Sequence, residues 1–168
     1  MIPLPLIIPE NNPSLPQETF ARVVRDPATG QRSLHANAFF DAGDILCSFA
    51  ASALQEQPDY LTLQLNEHTH ISLKPDVLQF TNHSCDPNVF FDTTAMQVIA
   101  LRSIQPGDEI SFFYPSTEWK MAQPFHCTCG AIRCLGWISG AADIPLAVLQ
   151  QYQLTAFIRS QLSKQSLL

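Results

Sequence analysis

Three cysteines crowd into CTCGAIRC, Cys127 to Cys134, and another sits alone in the polar run FTNHSCDPN, Phe80 to Asn88. A C-x-C-x4-C array is short enough for three thiolates to meet at one ion, with Gly130 free to take the sharp turn between them. Tetrahedral zinc in a structural site takes four ligands, so another donor must come from elsewhere: His126, His83, Cys85 or Cys47. His126 adjoins Cys127, which makes ligation by both awkward. Cys47 lies in the apolar run ILCSF and suits a buried core thiol. Cys85 is the remaining thiol and lies in a loop, so the expected metal ligands are Cys85, Cys127, Cys129 and Cys134. The bland alternative, reduced and unliganded cysteines, is unusual for so short a span.

Other groups suggest chemistry less strongly. His68 and His70 in EHTHI could put both rings on one strand face at period two, but no third ligand is near and an exposed strand is expected. Asp108-Glu109 resembles an acid and base pair, yet Pro106-Gly107 before it makes a turn, where acidic residues are common, so a structural role is expected. Tyr114 ends the apolar run EISFFY; such a tyrosine ordinarily packs in a core with its hydroxyl at the surface.

The elements that would carry these groups are short. Runs such as FARVV, ILCSFAASAL, YLTLQL, THISL, NVFF, MQVIAL and EISFFY are separated by turn signals PATG, DAGD and QPGD, which predicts one mainly β domain. Helical patterns between strands, needed for a parallel α/β sheet, are absent. One helix is expected at the end, started by Asp143 and Pro145, with Leu154, Phe157, Ile158 and Leu162 as a core-facing stripe. Residues 1–18 hold five of the thirteen prolines and are expected to form an extended arm.

The chain has 168 residues, 46% of them hydrophobic, enough for a real core. Fifteen acidic against nine basic residues give a charge of -6, which offers no basic field for a phosphate backbone, so nucleic acid is not an expected partner. The same balance would favour a basic protein or peptide. MIPLPLII lacks a basic flank and is too short to span a bilayer, so no membrane association and an intracellular location, cytoplasmic or nuclear, are expected.

Taken together, FTNHSCDPN, GDEISFFY (Gly107 to Tyr114) and CTCGAIRCLGWI resemble, in order and spacing, the SET-domain family of protein lysine methyltransferases. The resemblance runs from about residue 20 to about residue 140. It implies a SET-domain (β-clip) fold of short strands with a pseudoknot around the active site over 19–121. A zinc-bound post-SET segment over 122–140 and a C-terminal helix within 141–168 complete that expectation. It also implies S-adenosylmethionine as cofactor and a lysine-containing protein or peptide as substrate, with histones among the candidates. Leu34, Ala36 and Gly43 match the family's amino-terminal segment, but Gln31 and Ser33 stand where it has closely spaced glycines that approach the methionine end of the cofactor; Gly30 could compensate by a one-residue shift.

By that resemblance Asn82 and His83 hold the cofactor, with the His83 backbone reading the adenine edge. Ser33 and Leu34 approach it, and Trp137 and Ile138 close over it or over the lysine channel. Tyr114 is the catalytic tyrosine that orients the amine and the transferable methyl group. Phe112 falls where the family has tyrosine or phenylalanine; lacking a hydroxyl to pin the amine, phenylalanine implies di- or trimethylation. Two other functions are compatible with the sequence: a catalytically silent SET-like binding module, favoured by the altered glycine turn, and methylation of a small amine, suggested by the short segment Gln55 to Gln79.

Overall fold

A computed structural model describes residues 20–165. The arm expected over 1–18 lies outside the described residues. Twelve short strands form four small sheets among them. The first contains β1 (Ala21–Arg25), β2 (Arg32–Ala36), β10 (Glu109–Phe112) and β7 (Asn82–His83), in the order β1-β2-β10-β7. β10 is antiparallel to β2, with Ile110 opposite Leu34, and parallel to β7, with Ser111 opposite Asn82 and Phe112 opposite His83. Strand order thus departs from chain order where FTNHSCDPN and GDEISFFY meet, and that insertion brings residues of the thirties, eighties and one-hundred-and-tens side by side.

β3 (Ile45–Ser48), β9 (Gln97–Ala100) and β8 (Val89–Asp92) form a second sheet, and β4 (Ala50–Gln55), β6 (Thr69–Lys74) and β5 (Leu63–Asn66) a third. β11 (Phe125–His126) pairs with β12 (Trp137–Ile138). The expected single strand ILCSFAASAL is divided, because Phe49 leaves the strand to bury its ring against Phe91, 5.6 Å between centroids. Its two halves then join different sheets.

Side-chain alternation in β10 decides what the site can be. Ile110 and Phe112 turn into the main core with Leu34, Ile71, Phe91 and Val98, while Glu109 and Ser111 face the other way. Phe113 continues the alternation into a second cluster with Leu149, Leu154 and Ile158. Adjacent phenylalanines therefore fasten the end of this strand to two cores, and Tyr114 follows from a doubly anchored position.

The carboxy-terminal region differs from the single helix expected from Asp143 and Pro145. It contains a 3-10 turn at Ala141–Asp143, a short α1 (Leu146–Leu149) and α2 (Ala156–Gln165). Tyr152 is drawn out between the helices, stacking on Phe113 at 3.7 Å and donating its hydroxyl to the Cys85 carbonyl at 2.8 Å. Thr155 then restarts the helix, its Oγ1 accepting the Ile158 N–H. Leu154 is buried ahead of α2 rather than on its stripe, so tertiary contacts override the periodicity.

Gly140 joins this region to the strand-rich domain. Its φ is +119°, and a Cβ there would lie 2.6 Å from the Trp119 carbonyl oxygen and 2.9 Å from Lys120 Cα. Backbone bonds from Met121 to Ser139, Ala141 to Glu118 and Ala142 to Trp119 hold that approach. Gly140→Ala is expected to destabilise the protein by roughly 3 kcal/mol, combining backbone strain with a main-chain clash. Equilibrium denaturation measures it; a loss below about 1 kcal/mol would show that the junction adjusts freely.

Candidate active site

Tyr114 opens a 3-10 turn, Tyr114–Ser116, immediately after β10. Its hydroxyl donates to the Thr81 carbonyl at 3.1 Å, and its backbone N–H donates to His83 Nδ1 at 3.2 Å. Aromatic rings surround it: Phe112 at 4.8 Å, His83 edge-on at 5.2 Å and Phe125 edge-on at 6.0 Å between centroids. Burial pushes the Tyr114 phenol up to about 12, so near neutral pH it is a protonated hydrogen-bonding group rather than a phenolate base. Phe112 fills the space between this ring and Phe91, whose centroid is 4.5 Å away. Phe125 was missed in the sequence; it reaches the site only because β11 pairs with β12.

Asn82 and His83 lie beside the end of β10. Asn82 Nδ2 donates to the Arg32 carbonyl at 3.2 Å and to Glu109 Oε1 at 2.9 Å. Asp108 does take the expected turn role, accepting the Gln105 N–H at 2.8 Å. Glu109 instead reaches across the parallel β7–β10 pair, a partnership that sequence separation concealed. Ser33 Oγ meets His35 Nε2 at 2.9 Å, and His35 Nδ1 donates to the Gly107 carbonyl at 2.8 Å. Leu34 is fully buried in the core. Gly30 uses its φ of +74° to close the β1–β2 hairpin, where its N–H bonds the Asp26 carbonyl at 2.8 Å. Ile138 is also fully buried, while Trp137 is 49% exposed and stands edge-on to His126.

A cleft of about 340 Å³ opens between His83–Ser84, the outward β10 residues Glu109 and Ser111, and the Cys129–Ala131 loop. A larger cavity of about 540 Å³ lies along Phe90, Phe113 and Tyr152, and neither Tyr114 nor Asn82 lines it. The smaller cleft joins His83 to the cysteine loop, and Tyr114 and Asn82 lie outside its lining as well.

Cys85, Cys127, Cys129 and Cys134 converge, with all four sulfurs within 4.8 Å of one another. Cys85 and Cys127 sulfurs are 3.9 Å apart; tetrahedral zinc with Zn–S bonds of about 2.3 Å separates its sulfurs by roughly 3.8 Å. The Leu135 N–H points at Cys85 Sγ at 3.4 Å, and the Cys85 N–H at Cys129 Sγ at 3.5 Å. N–H groups aimed at sulfur suit thiolate ligands, so donor type, number and spacing all fit a tetrahedral metal. Cys47 is buried in the core and its thiol is pushed up to about 12 by burial; His126 faces Trp137.

His70 corrects the expected exposed strand. It is buried, because the tight β5–β6 turn carries His68 to the surface and folds His70 inward toward Glu118, 4.0 Å away. Glu118 accepts the Gln64 N–H at 2.8 Å and the Thr117 hydroxyl at 3.2 Å. That separation is the outer limit of an ion pair, and burial opposes charge on both: it lowers the His70 pKa and pushes Glu118 up to about 7. The native carboxyl holds its proton more tightly than the unfolded one, so its stabilising contribution is complete below about pH 4.5 and lost as pH rises through about 7. His70 acts oppositely below its ordinary value. The difference between wild type and Glu118→Gln therefore isolates the effect: the variant is expected to gain roughly 3 kcal/mol relative to wild type between pH 5 and pH 8 in urea unfolding. A pH-independent difference would exclude the raised carboxyl.

Residues 31–115 match the SET domain family. Methyltransferase flvH of Aspergillus flavus is 36% identical over 124 residues, covering 73% of this chain and 69% of that protein. The histone-lysine N-methyltransferase, H3 lysine-36 specific, of Debaryomyces hansenii is 30% identical over 96 residues, covering 54% of this chain. This chain spans only 13% of that much longer relative. A crystal structure of KRYPTONITE in complex with mCHG DNA and SAH superposes with a TM-score of 0.55 at 19% identity, covering 70% of this chain and 28% of that one. A second, with mCHH DNA, H3(1-15) peptide and SAH, gives 0.52 at 20% identity, covering 70% and 29%. The family match covers the segment from the altered glycine turn to Tyr114, and the shared fold agrees with it: the chain belongs to the SET-domain family.

Proposed function

We propose that the protein moves methyl groups from S-adenosylmethionine to a lysine ε-amino group of a protein, with zinc in the four-cysteine cluster. The carrying observation is Tyr114, its hydroxyl fixed by Thr81 and its ring enclosed by Phe112, Phe125 and His83 beside the Asn82-His83 segment. Transfer from a sulfonium to an amine is an in-line displacement, so orientation supplies much of the rate. The amine must arrive uncharged; its free pKa of about 10.4 falls in an apolar channel beside a sulfonium cation. Tyr114 would orient the nitrogen, and Phe112 would leave it room to turn after a first methylation.

Asn82 and His83, with Ser33 on β2 and Trp137 on β12, are the proposed cofactor contacts; Leu34 and Ile138, expected beside them, have no exposed surface and instead pack beneath these strands. Cys85, Cys127, Cys129 and Cys134 would hold zinc, which braces the loop against the Asn82-His83 segment. Histone tails are favoured as substrates by the H3 lysine-36 specificity named for one relative, the H3 peptide held by one structural neighbour, and the charge of -6. DNA is held by neighbours of which this chain spans less than a third, and no direct nucleic-acid contact is proposed here.

Calorimetry with S-adenosylmethionine, followed by transfer of labelled methyl to histones and lysine peptides, tests the reading. Saturable binding and di- or trimethylated lysine are the expected results. Absence of cofactor binding would sink the enzyme and leave the silent binding module, which Gln31 and Ser33 favour. Phe112→Tyr should shift the product toward monomethyl-lysine; strict monomethylation by the native protein would refute the assigned role of Phe112.

A further inference from the structure

We propose that the His83 side chain is a positioning residue linking the cysteine cluster to Tyr114. The proton pattern follows from geometry. A backbone N–H can only donate, so the Nδ1 that meets the Tyr114 N–H at 3.2 Å must present a bare lone pair. A neutral imidazole then carries its proton on Nε2, and that nitrogen lies 3.3 Å from Cys85 Sγ. The sulfur also receives the Leu135 N–H at 3.4 Å, and a thiolate can accept both donors. Phe113, Tyr114 and Phe125 enclose the imidazole, with centroids 5.7, 5.2 and 5.6 Å away, so the ring has little freedom to turn.

One connected path therefore runs from the Cys85 sulfur through both nitrogens of His83 to the main chain of Tyr114. Donation to sulfur would orient and stabilise the metal-bound thiolate, while acceptance from the Tyr114 N–H would fix where the tyrosine leaves β10. The imidazole thereby acquires a function separate from the cofactor contact proposed for the His83 backbone.

This linkage rests on the zinc reading of the cluster, so zinc content of the purified full-length protein is measured first. One zinc per chain is expected; its absence overturns that reading and the linkage with it. Zinc affinity by chelator competition then separates the two. His83→Asn keeps an acceptor near the Nδ1 position but loses the donor to sulfur, and is expected to bind zinc roughly 10–100-fold more weakly. Unchanged affinity in that variant overturns the linkage and leaves the zinc site standing. Nitrogen NMR of the wild-type imidazole needs no variant to fold: protonated Nε2 with bare Nδ1 is expected, and the opposite tautomer overturns the proposal. Amide exchange at Tyr114 completes the test. Faster exchange after zinc is removed from wild type is expected, and unchanged protection would show that the path does not transmit.

Discussion

Tyr114→Phe is expected to lower turnover by roughly 10²–10³-fold, comparable to removal of one pre-aligned hydrogen-bonding group in other active sites. Binding of S-adenosylmethionine should stay close to the wild-type value. The substitution removes one oxygen from a ring whose packing against Phe112, His83 and Phe125 is retained. Its structural cost is confined to the Thr81 carbonyl, which loses a partner at 3.1 Å; that loss costs about 1 kcal/mol, too little to unfold the domain. Because burial holds the phenol at about 12, a pH–rate profile rising near neutrality would report the substrate amine rather than Tyr114. Kinetics and calorimetry on the same preparation distinguish lost chemistry from lost binding. Turnover within threefold of wild type would remove Tyr114 from the mechanism.

Local rules and long-range pairing were unequally legible in this sequence. Runs such as NVFF and EISFFY declare strands because they are short, apolar and bounded by turn residues. The cysteine convergence was legible too, since thiol spacing constrains its own geometry and Cys85 was the remaining loop thiol. Partners across the chain were hidden. Nothing around Glu109 signals Asn82, twenty-seven residues earlier, until β10 is placed parallel to β7. Phe125 reads as an unremarkable residue before Cys127, and only pairing with Ile138 turns its ring toward His83. His70 fits an exposed alternating strand until the turn at Glu67-His68 folds it onto Glu118. The carboxy-terminal periodicity correctly marked Ile158 as core, but could not show that Tyr152 would leave the helix for Phe113 and Cys85.

With zinc in the cluster as proposed, its loss is expected to disturb both the Asn82-His83 segment and the carboxy-terminal loop, because Cys85 is the one member of the cluster outside Cys127–Cys134. Residues 127–136 contain no helix or strand, and backbone bonds from Cys127 to Gly136 and Cys134 to Ala131 are among the few that shape them. So sparse a loop buries little and depends on its ligands for order. Cys85→Ser should therefore reduce zinc content, lower the unfolding midpoint by roughly 10 °C and weaken S-adenosylmethionine binding at the same time. Acid should mimic the variant, because protons compete with zinc for the thiolates. Cys47→Ala supplies the contrast: its side chain sits in the core, so it should cost stability while zinc content and cofactor affinity remain unchanged. Full zinc occupancy in Cys85→Ser would transfer the missing ligand to another donor such as His126, which would have to leave its contact with Trp137. Separate losses of metal and cofactor binding would mean that the two properties of the Asn82–Cys85 segment are neighbours in sequence without being coupled in the fold.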